Sequence, residues 1–400
     1  MPHSPTLTAT ASPPSLLAND RLLHTLQLGM GWFPEQPGNG LDRVYHALIE
    51  SLPAAGVNVR GLVTGSSHVE VSSNGHVRST APATAPLPKR LWEFRRTAQT
   101  ALRQTAYDVI ASHFAIYALP LLDTLSSHPY VVHFHGPWAM ESNLEGDAWL
   151  KTRTKKRIER LVYHRADRFI VLSRAFRDLL IHSYGVDAER IRIVPGGVDV
   201  DRFATGESQV HARERLGWPV DRPILFAVRR LVRRVGLENL LEAIAILRRQ
   251  HPDVLLLIAG SGWMREELEE RIDAADIATN VRLLGFVPDA DLPTAYRAAD
   301  LSIVPTIALE GFGLVAVESL AAGTPPLVTP IGGLPDIVRP LSDQLILEDA
   351  SVGAVVDDID AALRGSLSLP SDEECVDYAR SRFAWSTIAR QTRAVYAEVC

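Results

Sequence analysis

The sequence predicts an α/β protein made of two doubly wound parallel sheets that face one another across a cleft. Three observations lead there. The chain has 400 residues, which suits about two domains of ordinary size. Short apolar runs alternate with amphipathic helical patterns over most of its length, as parallel strands joined by helices require. The runs also fall into two successive series, parted by a stretch, 198–223, that has no buried strand.

Taken in order, residues 1–20 are rich in Pro, Ser, Thr and Ala, with neither a basic start nor an apolar stretch, and read as a disordered lead-in rather than a signal peptide. Residues 21–200 form the first domain. It opens with the strand-like LHTLQLGM (23–30), the glycine turn PGNG (37–40) and the helix-like LDRVYHALIESLPAAG. Further strands are expected over 57–65, 107–114, 130–136, 167–173 and 190–197. Residues 201–384 form the second domain, with strands PILFAV (223–228), VLLLIAG (254–260), VRLLGFV (281–287), LSIVP (301–305) and PPLVT (325–329). Amphipathic helices such as LENLLEAIAILRRQ (237–250) separate most of them. Such continuous apolar runs suit strands covered by helices on both faces. A cleft lined by strand C-termini is the natural ligand site of such a pair of sheets.

Composition narrows the class. Hydrophobic residues make up 46% and charged residues 22%, as in soluble globular proteins. A net charge of −6 argues against a dedicated nucleic-acid binder. The two cysteines, Cys375 and Cys400, form no disulfide framework and no metal-binding pattern, which fits a reducing compartment. No stretch approaches the ~20 apolar residues of a membrane span. A cytoplasmic protein is expected.

Residues 305–325, PTIALEGFGLVAVESLAAGTP, concentrate the chemistry. Glu310 and Glu318 stand eight positions apart around a Gly-Phe-Gly break. Glu318 lies in an otherwise apolar run, where an ionised carboxylate is costly unless something polar meets it. The spacing predicts a helix starting at Leu314 behind Gly313, with Leu314, Val317, Glu318 and Ala321 on one stripe. The unpaired first amides of such a helix suit a phosphate. A pyrophosphate there and a ribose over Glu318 are compatible, since four helical residues span only ~6 Å. A plainer reading stands beside it: a carboxylate favoured by the helix dipole, and a buried Glu paired with an Arg.

Other features are weaker alone. Arg229, Arg230, Arg233 and Arg234 follow a strand end, where guanidinium groups suit a diphosphate, although a solvated basic loop is the commoner fate of such a run. His113, His133 and His135 sit at strand ends. They suit a polar substrate, satisfied core histidines or, lacking an evident fourth ligand, a zinc site less well. Glycine turns recur at strand exits, among them PGNG (37–40), GSG (260–262) and GG at 196–197 and 332–333.

Together these stretches resemble the family-4 retaining glycosyltransferases of the GT-B fold. The residues that bear the likeness are EGFGLVAVESLAAGTPPLVTPIGGLPDIV, RIRIVPGGVDVDRF, RRLVRRVGLENLLEA, LLIAGSG, VRLLGFVPDADLPTAYRAADLSIVPT and FAWSTIARQTRAVYAEV. The likeness spans about residues 25–400 and is strongest from 160 to 340. It implies two Rossmann-like domains, a nucleotide-diphospho-sugar donor on the C-terminal one, an acceptor on the N-terminal one and no metal. A final helix, 385–400, would cross back onto the N-terminal domain. By position, Glu318 would take the ribose hydroxyls and Glu310 those of the donor sugar. The amides of Leu314 and Val315, behind Gly313, would hold phosphate, and Arg230 would contact the diphosphate. Phe286 and Val287 would meet the base, and His135 would line the sugar pocket. Gly262 would join the donor-binding set, and Gly38 and Gly40 would approach from the other domain. The sequence departs from the family pattern in Arg229-Arg230-Leu231 for Gly-Arg-Leu, Val235 for the usual Lys, and Pro195-Gly196-Gly197 for Pro-Asn-Gly. Arg234 is the nearest substitute for the lost lysine.

The expectation is a retaining, metal-independent hexosyl transfer from a nucleotide-diphospho-sugar, UDP- before GDP-, to an acceptor hydroxyl in glycan, exopolysaccharide, glycolipid or glycosylated-metabolite synthesis. No cofactor is expected. A nucleotide-sugar epimerase or hydrolase would turn over donor without acceptor, and a nucleotide-sugar-binding protein would bind without turnover. A glycosidase would also use paired carboxylates but leaves the phosphate-suited features idle. The basic run KTRTKKRIERLVYHR (151–165), with a second patch from Lys89 to Arg103, suggests either peripheral contact with anionic membrane or a solvated helix face. Specificity is assigned to loops 66–88 and 137–150, which carry no readable code.

Overall fold

The computed structural model describes residues 21–33, 35, 40–144 and 146–400. The lead-in 1–20 and Gly38 lie outside that set.

Strands form where apolar side chains run on without alternation. β1 Leu23–Leu28, β2 Val57–Val63, β3 Val77–Ser79, β4 Val109–Ser112, β5 Tyr130–Phe134, β6 Arg168–Val171 and β7 Ile191–Ile193 make a seven-stranded sheet ordered β3-β2-β1-β4-β5-β6-β7. β8 Ile224–Val228, β9 Leu255–Ala259, β10 Val281–Gly285, β11 Leu301–Val304 and β12 Pro326–Val328 make a five-stranded sheet ordered β10-β9-β8-β11-β12. All pairings are parallel, for instance Leu23 with Val57 and Ile224 with Leu255. Every residue of β4, β5, β9 and β11 is buried, as two-sided coverage demands.

Each sheet reverses its winding once, between β1 and β4 and between β8 and β11. These are the switch points, where connections depart to opposite faces and leave a crevice at the strand C-termini. Met30 follows β1, His113 follows β4, Arg229 follows β8 and Thr306 follows β11, so the topology itself delivers these residues to the crevice.

Five helices matter below: α1 Gly40–Ser51, α2 Trp138–Leu144, α3 Trp149–Tyr163, α4 Leu314–Ala321 and α5 Trp385–Ala397. α4 begins at the residue its stripe predicts. α5 crosses back onto the N-terminal half, packing on α1 and burying Ile388, Ala389, Val395 and Tyr396 in a core shared with Tyr45, Ile49 and Val57. The chain thus passes between the halves twice, and the passages touch. Val198 donates its amide to Phe383 O at 2.8 Å and forms an isolated parallel bridge with Ala384.

Two regions read as loops contain elements. Residues 66–88 hold the helix His68–Ser72 and the edge strand β3, and 137–150 hold α2. β3 buries only Val77 of its three residues, so there is no periodicity to read.

Candidate active site

The two crevices join into one cleft of about 540 Å³, walled by both halves. Its C-terminal wall is the loop from β11 to α4. Gly313 opens α4 with φ 96°, left-handed backbone that disfavours other residues, and a Cβ there would lie 2.4 Å from Leu334 Cδ2. The first turn of α4 has no acidic residue and no side-chain cap; the Ala316 amide bonds to Gly313 O, which leaves those of Leu314 and Val315 to an anion at the cleft surface.

The two glutamates flank this helix tip. Glu318 is 8% exposed. Tyr296 donates its hydroxyl to Oε2 at 3.2 Å, and Arg43 Nη1, from α1 of the opposite half, stands 3.9 Å from Oε1. Burial pushes the Glu318 carboxyl above its ordinary range, and Arg43 opposes this in part. Asp289 in turn pairs with both Arg43 and Arg202. The buried-Glu-with-Arg arrangement therefore exists, but its arginine comes from across the cleft. Glu310 accepts from Arg229 Nη2 at 2.8 Å, and Thr306 Oγ1 lies 3.4 Å from the same oxygen. Arg229 Nη2 also reaches Thr306 Oγ1 at 2.7 Å.

Arg230 lines the cleft, and so does Arg234, which also braces the wall. Arg234 donates to Leu309 O at 2.9 Å, while its own carbonyl accepts from Ile307 and Ala308. Leu309 has φ 48°, a strained backbone for leucine, held in place by that contact just ahead of Glu310.

On the other wall the three histidines form one array, with His113 and His133 buried and His135 half-buried at the cleft surface. The rings of His113 and His133 stack face to face, with centroids 4.2 Å apart and 18° between planes, whereas His113 Nδ1 and His135 Nε2 meet edge to edge at 3.0 Å. Gln27 Nε2 faces Thr25 Oγ1 and Tyr396 Oη, at 3.1 Å each, which turns its Oε1 to His113 Nε2, also at 3.1 Å. His113 is therefore protonated on Nε2, so His135 donates its Nε2–H to His113 Nδ1 and keeps Nδ1 as an acceptor. Tyr396 Oη of α5 lies 2.7 Å from His133 Nε2 and 3.3 Å from Gln27 Oε1. Burial holds all three rings neutral at pH 7, with His135 pushed down to about 4. Their ring nitrogens lie within 4.8 Å of one another, but the stacked pair aims its in-plane lone pairs along parallel lines rather than at a shared point. Such an array suits hydrogen bonding to a substrate better than holding a metal.

The sequence-predicted residues Glu310, Glu318, Arg230, Arg234, Gly313, Leu314, Val315, His135 and Gly40 thus meet at one cleft. Gly262, Phe286 and Val287 are not among its lining residues. A Cβ on Gly262 would lie 2.3 Å from Leu231 O, so this glycine lets the loops after β8 and β9 cross. Phe286 is 63% exposed in the turn after β10, and Val287 packs partly on the C-terminal core. Sequence reading missed Arg43, Tyr296 and Tyr396, whose roles depend on contacts across the chain. It offered Arg229 to a diphosphate, whereas the structure turns that side chain to Glu310 and Thr306.

Comparison with known proteins identifies the family and the fold. Glycosyl transferases group 1 matches residues 209–382, and Glycosyltransferase Family 4 matches residues 38–202. A D-inositol 3-phosphate glycosyltransferase of Corynebacterium jeikeium is 32% identical over 336 residues, covering 78% of each chain. Among solved structures, a sucrose-phosphate synthase of Thermosynechococcus elongatus superposes with TM-score 0.77 at 22% identity, over 94% of this chain and 98% of that one. Anabaena HepE in complex with UDP-glucose gives 0.75 at 20% identity, over 94% and 100%. The chain belongs to the family-4 glycosyltransferases, and its fold is that of the two-domain GT-B enzymes.

Proposed function

We propose that the protein transfers a hexosyl group, with retention and without a metal, from a nucleotide-diphospho-sugar to an acceptor hydroxyl. Uridine is the first choice of base, in keeping with the UDP-glucose bound by the Anabaena protein, and guanosine the second. The observation that carries the reading is the placement of Glu310 and Glu318 on either side of an uncapped helix tip, with Arg230 and Arg234 alongside and His135 opposite.

On this reading Glu318 accepts from the ribose, the α4 amides and the arginines hold the diphosphate, and Glu310 and His135 orient the sugar. The bond between the anomeric carbon and the phosphate oxygen breaks while the acceptor oxygen bonds to that carbon on the same face. The acceptor's proton passes to the leaving phosphate oxygen, and the nucleoside diphosphate departs. The arginines and amides bear the charge that Mg²⁺ bears in other enzymes. Glu310→Gln should abolish transfer and leave nucleotide affinity within about twofold. Transfer at the wild-type rate by that variant would refute the assignment, and donor loss that never depends on acceptor would favour a hydrolase or epimerase.

The enzyme is proposed to act in the cytoplasm. Among the described residues no helix is long and apolar enough to cross a membrane. The basic helix α3 starts with the exposed Trp149 and Leu150, beside Lys151 and Arg153, and is proposed to touch anionic lipid. Salt-sensitive binding to anionic vesicles, lost in Trp149→Ala/Lys151→Glu, tests that part separately.

A further inference from the structure

We infer that the acceptor group seated in the cleft is a neutral, polyhydroxylated ring and not a phosphorylated sugar. The inference rests on the glycosyltransferase reading above and adds the substrate class.

Charge is unevenly shared between the walls. Arg229, Arg230 and Arg234 all belong to the C-terminal wall, beside the loop that leads into α4. On the N-terminal wall the charged lining residues are Arg43, Glu141 and Glu159. Arg43 is already engaged by Asp289 and reaches toward Glu318. Glu159 is fully buried, with the Tyr184 hydroxyl on its carboxyl at 2.7 Å.

An acceptor on this wall therefore meets the Glu141 carboxylate, the neutral imidazole of His135 and the half-buried rings of Trp138 and Phe114. Those two rings lie 5.2 Å apart at 59° and form an angled aromatic surface. One further cation stands close: Lys155 Nζ is 5.0 Å from the Trp138 ring. Its ammonium is bonded to Asp147 at 2.6 Å and to Ser142, and Lys155 is not part of the lining. Residues 1–20, 34, 36–39 and 145, which lie outside the described set, contain no Lys or Arg.

A phosphate dianion seated on this wall would face a carboxylate and lack the charge-assisted donors that such groups require. A sugar ring suits it. The ring's apolar face packs on an aromatic side chain, and its hydroxyls find an acceptor in the Glu141 carboxylate. On this point the chain parts from relatives named for inositol 3-phosphate and sucrose phosphate.

The test is acceptor-dependent release of nucleotide by the full-length protein. A screen of UDP- and GDP-sugars first identifies a donor through slow hydrolysis. Turnover of no donor would remove the glycosyltransferase reading itself. With a donor in hand, rates are compared for matched pairs: glucose and glucose 6-phosphate, fructose and fructose 6-phosphate, myo-inositol and its 3-phosphate, together with neutral methyl glycosides. The neutral partner should be favoured by about a hundredfold in kcat/KM, and Glu141→Lys should narrow that ratio about tenfold. An equal or higher rate for a phosphorylated partner overturns the inference. So does failure of every neutral acceptor while donor hydrolysis persists, and so does a ratio unmoved by Glu141→Lys.

Discussion

Arg229→Met probes the ion pair at the base of the cleft. The side chains of Arg229 and Glu310 are 7% and 14% exposed, and Arg229 Nη2 serves both Glu310 and Thr306. Without the guanidinium, Glu310 keeps only a long contact, Thr306 Oγ1 at 3.4 Å, among the partners described above. Removing one member of a buried pair costs about 3–5 kcal/mol, and the open side of the cleft places this one near the lower end. About 3 kcal/mol corresponds to a fall of roughly 6–12 °C in Tm for a domain of this size. Glu310→Gln should be much milder, because it leaves Arg229 bonded to Thr306 and to a neutral amide. The double variant should recover at least half of the Arg229→Met loss, since no charge is then stranded. Differential scanning calorimetry, with urea unfolding as a second measure, reads all three. A loss under about 1 kcal/mol for Arg229→Met, or a double variant less stable than that single one, would refute the pairing argument.

Further outcomes follow from the same geometry. Burial raises the Glu318 pKa, so UDP affinity should fall as pH drops through that raised value; titration calorimetry should find the dependence absent in Glu318→Gln. Glu159 is pushed up from 4.5 to about 7 by burial, so its contribution to stability is complete below pH 4.5 and lost as pH rises through 7. That is about 3 kcal/mol, and Glu159→Gln should flatten the urea-midpoint profile over this window. Gly313→Ala combines left-handed strain of about 1–2 kcal/mol with the overlap on Leu334, and should weaken UDP binding through the displaced α4 amides. Tyr396→Phe should cost about 1–3 kcal/mol by leaving His133 and Gln27 short of a partner. Ring ¹⁵N shifts should place neutral His135 in the Nε2–H form at pH 7 in the wild type, and a shifted tautomer balance in the variant shows that α5 acts on the cleft.

Much of the scaffold was readable because buried parallel strands need unbroken apolar runs; LLLIA in β9 and YVVHF in β5 admit few other fates. β3 escaped because one buried valine makes no pattern. At the site, Glu310, Gly313 and Glu318 were legible because they share one stretch whose spacing encodes turn and helix. Arg43 was not. Its role depends on which face of α1 meets Asp289, some 246 residues away in sequence, and no local periodicity records that. Nor does a motif show that Arg229, rather than its neighbour, turns inward to Glu310. The histidines were visible, but their order through Gln27 and Tyr396 emerges only when β1, β4, β5 and α5 are brought together.

The return of α5 to the N-terminal half also governs the timing of folding. Ile388, Ala389, Val395 and Tyr396 complete a core whose other members, such as Tyr45 and Val57, leave the ribosome hundreds of residues earlier. Domains normally fold in the order of their synthesis. Here the first half must wait with an apolar groove open along α1 until α5 has been made. The C-terminal half, whose sheet lies wholly between Ile224 and Val328, has no such wait for its strands. Order of synthesis and order of completion are therefore reversed, and a ribosome stalled before residue 385 would hold a chain with its later sheet formed and its earlier core unfinished.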